Sequence, residues 1–268
     1  MSNHLKILVV GAVAAFSFVG SAQSAITAYD ATRGGGFGVI DLGTGAFTLR
    51  GNSGVQLSGL AVGSDGALYS GHYGGSEFYR VNPLDGSLTT LGNSGIAYED
   101  IGSTLSGVYA LGVDEYLYSI NIGTGAATQI GYAGFSPTVL GMSTGSADLY
   151  VAWRHPSAGA LLYRVNTTNA STPLVGFTGT TFGALVTTGG VLYGGATPGN
   201  SIYTVDPSTG ISTFRANVTG TSQDFWGLAP VSAEPAGSVP EPTTWAMMLV
   251  GLGGLGAVLR RRSAALFA

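Results

Sequence analysis

Between residues 26 and 230, apolar and polar residues alternate in short runs, and no stretch there repeats with the 3.6-residue period of a helix. One run recurs. Phe37 to Asp41, Phe78 to Asn82, Leu117 to Asn121, Leu162 to Asn166 and Ile202 to Asp206 are five copies of an apolar, alternating strand that ends in Asn or Asp, and their closing residues lie 41, 39, 45 and 40 apart. Each copy runs into a turn: Leu42-Gly43-Thr44-Gly45, Pro83-Leu84-Asp85-Gly86, Ile122-Gly123-Thr124-Gly125, Thr167-Thr168-Asn169-Ala170 and Pro207-Ser208-Thr209-Gly210. These are residues that supply hairpin backbone angles, and only the fourth turn lacks its glycine.

A further short strand follows each turn, as at Ser87 to Leu91 and Ala126 to Ile130. Two more fill the space between copies: an inner one such as Ser58 to Val62, and one carrying Leu68-Tyr69, Val108-Tyr109, Leu149-Tyr150 or Leu192-Tyr193. Four short strands in each unit of about forty residues predict an all-β propeller. Phe225 to Ala229 repeats the inner-strand pattern of Leu57 to Ala61 but has no following strands, whereas the N-terminal side, at Ile26 to Thr32, Gly36 to Leu42 and Ala46 to Arg50, supplies the other three. The two ends are expected to complete one blade and close the ring without an open sheet edge. The count is five blades, with six as the alternative if a strand set is merged, and a β-sandwich as the remaining fold.

The flanks read differently. Lys6, the apolar run Ile7 to Val19 and the small residues Gly20 to Ala25 form a secretory signal peptide over 1–25. The ectodomain is assigned to 26–232 and a linker to 233–239. Thr243 to Leu259 is an uncharged stretch of seventeen residues, which as a helix would rise about 26 Å, enough for a single short transmembrane helix. Arg260, Arg261 and Arg262 close it and place the ectodomain outside by the positive-inside rule, leaving a 263–268 tail. Glu241 is held between Pro240 and Pro242, both of which favour extended backbone.

This order of rigid Pro-Glu-Pro, short span and basic stop over 240–262 resembles the PEP-CTERM sorting signal of bacterial surface proteins. The resemblance implies Sec-type export, a membrane-held intermediate, and cutting near the motif by an exosortase, a membrane protease and transpeptidase, with delivery to the cell surface or extracellular matrix.

Charge narrows the ectodomain's role. From 26 to 239 there are six arginines and thirteen acids, a net of −7. No basic stripe exists to displace counterions from phosphates, so nucleic acid is excluded as a partner. There is no cysteine, hence no disulfide and no thiol chemistry. The three histidines, His4, His72 and His155, fall in non-equivalent places and predict no metal centre, and no cofactor motif lies in the ectodomain.

Ligands of propellers gather at loops over one mouth of the ring, and on this strand assignment those loops carry Gln56, His72, Tyr73, Glu99, Asp100, Asp114, Glu115, Arg154, His155 and Asp224. Glu99, Asp100 and Asp224 precede inner strands, so three carboxylates are expected at one opening. With Trp153, Arg154 and His155 they form the candidate ligand face. The expected activity is non-enzymatic adhesion, or binding of a polysaccharide or surface partner, as part of a biofilm or exopolysaccharide matrix. The alternative is a carbohydrate-active hydrolase or lyase in which paired carboxylates act as acid and nucleophile or base. Tyr69, Tyr109, Tyr150 and Tyr193, recurring at the blade period, are expected to pack the core rather than stack on sugars.

Overall fold

The computed structural model describes residues 25–135, 139–155 and 159–231. The signal peptide, the Pro240-Glu241-Pro242 motif, the 243–259 span and Arg260 to Arg262 lie outside them.

The described chain forms five blades. Blade 1 contains β1 (Thr27–Thr32), β2 (Gly36–Asp41) and β3 (Phe47–Asn52), and its innermost strand is β21 (Phe225–Pro230), the last of the chain. Blade 2 is β4 (Ala61–Val62), β5 (Leu68–Gly71), β6 (Glu77–Val81) and β7 (Leu88–Asn93). Blade 3 is β8 (Tyr98–Thr104), β9 (Gly107–Gly112), β10 (Tyr116–Ile120) and β11 (Ala127–Tyr132). In blade 4 the inner strand is split into β12 (Val139–Met142) and β13 (Thr144–Ser146), followed by β14 (Leu149–His155), β15 (Gly159–Val165) and β16 (Leu174–Phe177). Blade 5 is β17 (Phe182–Thr188), β18 (Val191–Ala196), β19 (Ser201–Val205) and β20 (Ser212–Asn217). The five-bladed count and the closure of the ring by both termini are as the repeat predicts: β21 pairs antiparallel with β1 from Ala28 opposite Pro230 to Thr32 opposite Phe225.

The Asn or Asp that ends each repeat is a turn cap. The Oδ1 of Asp41, Asn82, Asn121, Asn166 and Asp206 accepts a hydrogen bond from the backbone N–H two residues on, at 2.7 to 3.0 Å. The turn then needs a left-handed residue, supplied by Gly45, Gly86, Gly125 and Gly210 and, in blade 4, by Ala170 at φ 60°. Five apolar clusters occupy the five blade interfaces, one apiece; the cluster between blades 1 and 2, for instance, joins Tyr29, Ala31 and Phe37 to Leu57, Leu68 and Val81. Tyr69, Tyr109, Tyr150 and Tyr193 lie in these clusters, joined by Tyr29 at the same register, and none is more than 8% exposed. They are core residues.

One expectation needs correction. Closing the ring does not remove sheet edges, because β3, β7, β11, β16 and β20 each end a blade with an unpaired outer side. All five carry a register shift against the neighbouring strand, and such bulges blunt an edge against pairing with another chain.

At the axis the inner strands touch backbone to backbone. Each has a buried glycine at the point of approach: Gly59, Gly102, Gly141, Gly183 and Gly227. A methyl group on Gly227 would lie 2.6 Å from the Cα of Gly59, and one on Gly141 would lie 2.9 Å from the Cα of Ala184; at the other three it would collide with Ile101, Ser143 and Phe225. Bonds cross between blades here. The Oγ1 of Thr144 in blade 4 donates to the carbonyl of Leu60 in blade 2 at 2.6 Å, the backbone N–H of Val62 donates to Ser103 Oγ at 3.0 Å, and β13 pairs in parallel with β8. The inner strands therefore close on one another at the centre of the ring.

Candidate functional site

Strands alternate in direction within a blade, which puts the starts of inner strands and the β1–β2, β5–β6, β9–β10 and β14–β15 hairpins on one face. All the expected site residues map to this face. Glu99 and Asp224 do hold equivalent positions, each three residues before its axial glycine. The structure separates the group nonetheless.

Asp100 turns inward. Its Oδ1 accepts from the Ile101 N–H at 2.7 Å and its Oδ2 from the Met142 N–H at 2.6 Å, while Gly59 of blade 2 is so near that a side chain there would strike Oδ1. This carboxylate ties blades 3 and 4 together at the axis, with Gly59 of blade 2 packed against it. Burial pushes its pKa well above the ordinary carboxylate range, against those two bonds. Glu99 sits at a register shift in β8, between Tyr98 and Asp100, and has no partner residue across the β8–β9 pair. It is 7% exposed, burial raises its pKa, and it has no hydrogen bond from any described residue.

Trp226, on the inner strand of blade 1, is the centre of the best-formed corner of this face. The guanidinium of Arg33 lies over its ring, 5.4 Å from the centroid, and Tyr73 meets it edge-on at 5.2 Å and 82°. Backbone bonds fix these parts: the Arg33 N–H donates to the Asp224 carbonyl at 3.2 Å, and the Tyr73 N–H to the Gln56 carbonyl at 3.0 Å. Burial raises the pKa of the Tyr73 phenol, the charges of Glu99 and Asp100 raise it further, and Arg33 opposes them, so all four groups share one field. Arg33 is exposed and Trp226 half-buried. Outward from the corner, a groove of about 220 Å³ runs between blades 1 and 5, lined by Phe47, Leu49, Asn52, Thr221 and Gln223.

Trp153 and His155 belong to another arrangement. Trp153 packs against Phe135 at 5.6 Å, Tyr163 at 5.9 Å and His155 at 4.8 Å, on the core between blades 3 and 4, and its indole N–H is buried without an acceptor among the described residues. Exposed Arg154 follows on β14. Among the described residues, no ring contact or cation–π contact joins this cluster to the Trp226 corner. His72 pairs across its own hairpin with Glu77, Nδ1 to Oε2 at 3.1 Å. Among the described residues no group of three or more His, Asp or Glu is placed to hold a metal ion. A cleft of about 300 Å³ on the opposite face includes Asp148 and Arg164, whose ion pair is long, at 3.8 Å, and solvent-exposed.

Arg33 is the one member of this corner absent from both the loop residues and the strand repeats named from the sequence. Its signal was the repeat itself, since it occupies the hairpin position that Tyr73 and Arg154 occupy in their blades.

Beyond the described residues, 238–262 match a family described as the PEP-CTERM protein-sorting motif. The tail is a PEP-CTERM sorting motif. It marks the chain for exosortase processing, association with the membrane, and export toward the cell surface or exterior. No curated protein matches the chain. Among solved structures, a chain of "Crystal structure of Nidogen/Laminin Complex" is similar with a TM-score of 0.52 and 11% identity, over 76% of this chain and 97% of that one. At that identity the likeness concerns the fold alone. The chain thus joins a tail that carries the PEP-CTERM sorting motif to a β-propeller.

Proposed function

We propose that the propeller is a non-catalytic binding module for an extracellular polysaccharide, delivered by the PEP-CTERM tail to the cell surface or matrix. The observation that carries this reading is the Trp226 corner, with an indole, a phenol, a guanidinium and a sheltered carboxyl on one face of the ring. Aromatic rings offer the apolar faces of sugars a surface, Arg33 and Glu99 offer hydrogen bonds, and the groove toward Thr221 and Gln223 gives a chain polymer room to continue. The hydrolase or lyase alternative draws support from Glu99, whose raised pKa suits a general acid, but Asp100 has both oxygens occupied by backbone donors and is poorly placed as its partner.

The test uses exopolysaccharide purified from the producing host. Trp226→Ala and Arg33→Ala should each weaken binding about tenfold or more in titration calorimetry while the fold is retained, the effect expected of a central anchor. Binding unchanged in both variants would move the site elsewhere. Release of new reducing or unsaturated sugar ends, lost in Glu99→Gln, would favour the enzymatic reading.

A further inference from the structure

The last strand of the ring ends on the face opposite the Trp226 corner. Pro230 pairs with Ala28, and so lies beside the β2–β3 turn at Leu42 to Ala46. Neighbouring inner strands run parallel, so the same face carries the turns after β6, β10, β15 and β19 and the hairpins between β4 and β5, β8 and β9, and β17 and β18. The chain therefore leaves the propeller near its axis, on the side away from the candidate ligand site.

The tether is short. Residues 232–242 separate the described ring from the stretch expected to enter the membrane, and eleven residues reach at most about 40 Å when fully extended. To turn the Trp226 face toward the bilayer, the tether would first have to cross four strands, about 19 Å, and then climb the length of a six-residue strand, about 20 Å. That path uses the whole reach. With the exit face toward the bilayer, none of it is used.

The exit face also carries exposed apolar tips: Leu84 at 67%, Leu105 at 77% and Ile211 at 63%, with Val191 beside them. The face with the ligand corner exposes Val113 at 44% in a loop, and Tyr132 at 60% and Phe177 at 62% at the ends of the outer strands β11 and β16, so its large exposed hydrophobics sit mostly at the rim. Asp41, Asp65, Asp85, Asp148 and Asp206 lie in or beside turns on the same face, and their charge disfavours contact with anionic headgroups.

We propose that, while the tail is still attached, this propeller sits with its exit face against the lipid surface, touching it through Leu84, Leu105, Val191 and Ile211, and presents the Arg33–Tyr73–Trp226 corner outward. The orientation rests on the sorting reading of 238–262 and is set by the length of the tether. A ligand can then be captured before the tail is cut, and cutting frees the opposite face.

The chain has no cysteine, so single thiols report cleanly. The full chain is expressed in a host without exosortase, so that the tail is retained, and its membranes are treated with polyethylene-glycol maleimide. Leu84→Cys and Leu105→Cys should react about fivefold more slowly than Val113→Cys and Ser222→Cys, and a Gly/Ser insertion of about thirty residues after Ala236 should abolish the difference by lengthening the tether. Equal rates with the native tether overturn the orientation. Slow rates that survive the insertion show that the loops alone hold the face down, and overturn the tether as its cause. A chain that keeps its tail and fractionates as soluble removes the sorting reading as well.

Discussion

Asp100 and Glu99 are neighbours in the chain and serve different regions. At the axis, Asp100 accepts two backbone N–H groups, one from its own blade and one from blade 4, so both its oxygens are occupied by the fold. At the face, Glu99 is nearly as buried, at 7% against 5%, yet no described residue donates to it. The contrast between the two tryptophans has the same form. Both rings are partly buried, but Trp153 packs against the aromatic rings of Phe135, Tyr163 and His155, whereas Trp226 is met by one ring, Tyr73, and covered by the exposed guanidinium of Arg33. Residue type alone separates neither pair. What separates them is whether neighbouring backbone and core already satisfy the group.

The largest effect should come from the axis. A side chain at Gly227 meets Gly59 backbone at 2.6 Å and the Leu60 nitrogen at 2.7 Å, and backbone atoms on both sides cannot yield as a flexible side chain would. Gly227→Val should cost on the order of 4 kcal/mol or more and prevent cooperative closure of the ring. Thermal unfolding followed by near-ultraviolet circular dichroism reads this directly, and a variant that melts like the wild type would mean that the inner strands are not in contact.

The tryptophans come next, and should move in opposite senses. Trp153→Ala empties part of the interface between blades 3 and 4 and should lower stability by about 3 kcal/mol with polysaccharide binding intact. Trp226→Ala should cost about 1 kcal/mol and lose binding. If Trp153→Ala also abolishes binding in a folded protein, the division drawn between the two corners fails.

Asp100→Asn keeps size and shape, but its amide nitrogen cannot accept, so one of the Ile101 and Met142 N–H groups is left buried without a partner. The expected loss is about 2 kcal/mol, or roughly 4–8 °C in melting temperature for a domain of this size, with no change in ligand affinity.

Much of this architecture was legible in the sequence, for a physical reason. The blade repeat is written in residues that the backbone itself requires: an apolar strand for each interface, an Asn or Asp to cap the turn at Asp41, Asn82, Asn121, Asn166 and Asp206, and a left-handed residue to finish it. Even the missing glycine of the fourth turn was visible, and the structure shows Ala170 carrying the same positive φ. The division of the face into axis, core and mouth was not legible. Asp100 reads as a candidate ligand group until Met142, far along the chain and in another blade, is seen to donate to it. Trp153 likewise reads as a member of the ligand face until Phe135 and Tyr163 are seen to pack against it. Arg33 gains meaning only when the two ends of the chain meet and bring Trp226 beneath it.

The smallest effect is the finest test of the Glu99 environment. Burial raises its pKa in the folded state, so the native protein holds this proton to higher pH than the unfolded chain does. The stabilising contribution of the bound proton is therefore complete below the unfolded glutamate value of about 4, and is lost as pH rises through the raised folded value. Asp30, whose carboxyl is fully buried and whose Oδ1 has no hydrogen-bond partner among the described residues, follows the same sign and cancels in the difference; Asp100 follows it too, and because the Glu99 charge helps raise its pKa, removing that charge adds to the gap in the same direction. Glu99→Gln cannot ionise, so it should match the wild type near pH 4 and melt about 2 °C higher at pH 7. A gap of equal size at both pH values would place the Glu99 carboxyl in solvent, and would remove the contrast with Asp100 at its root.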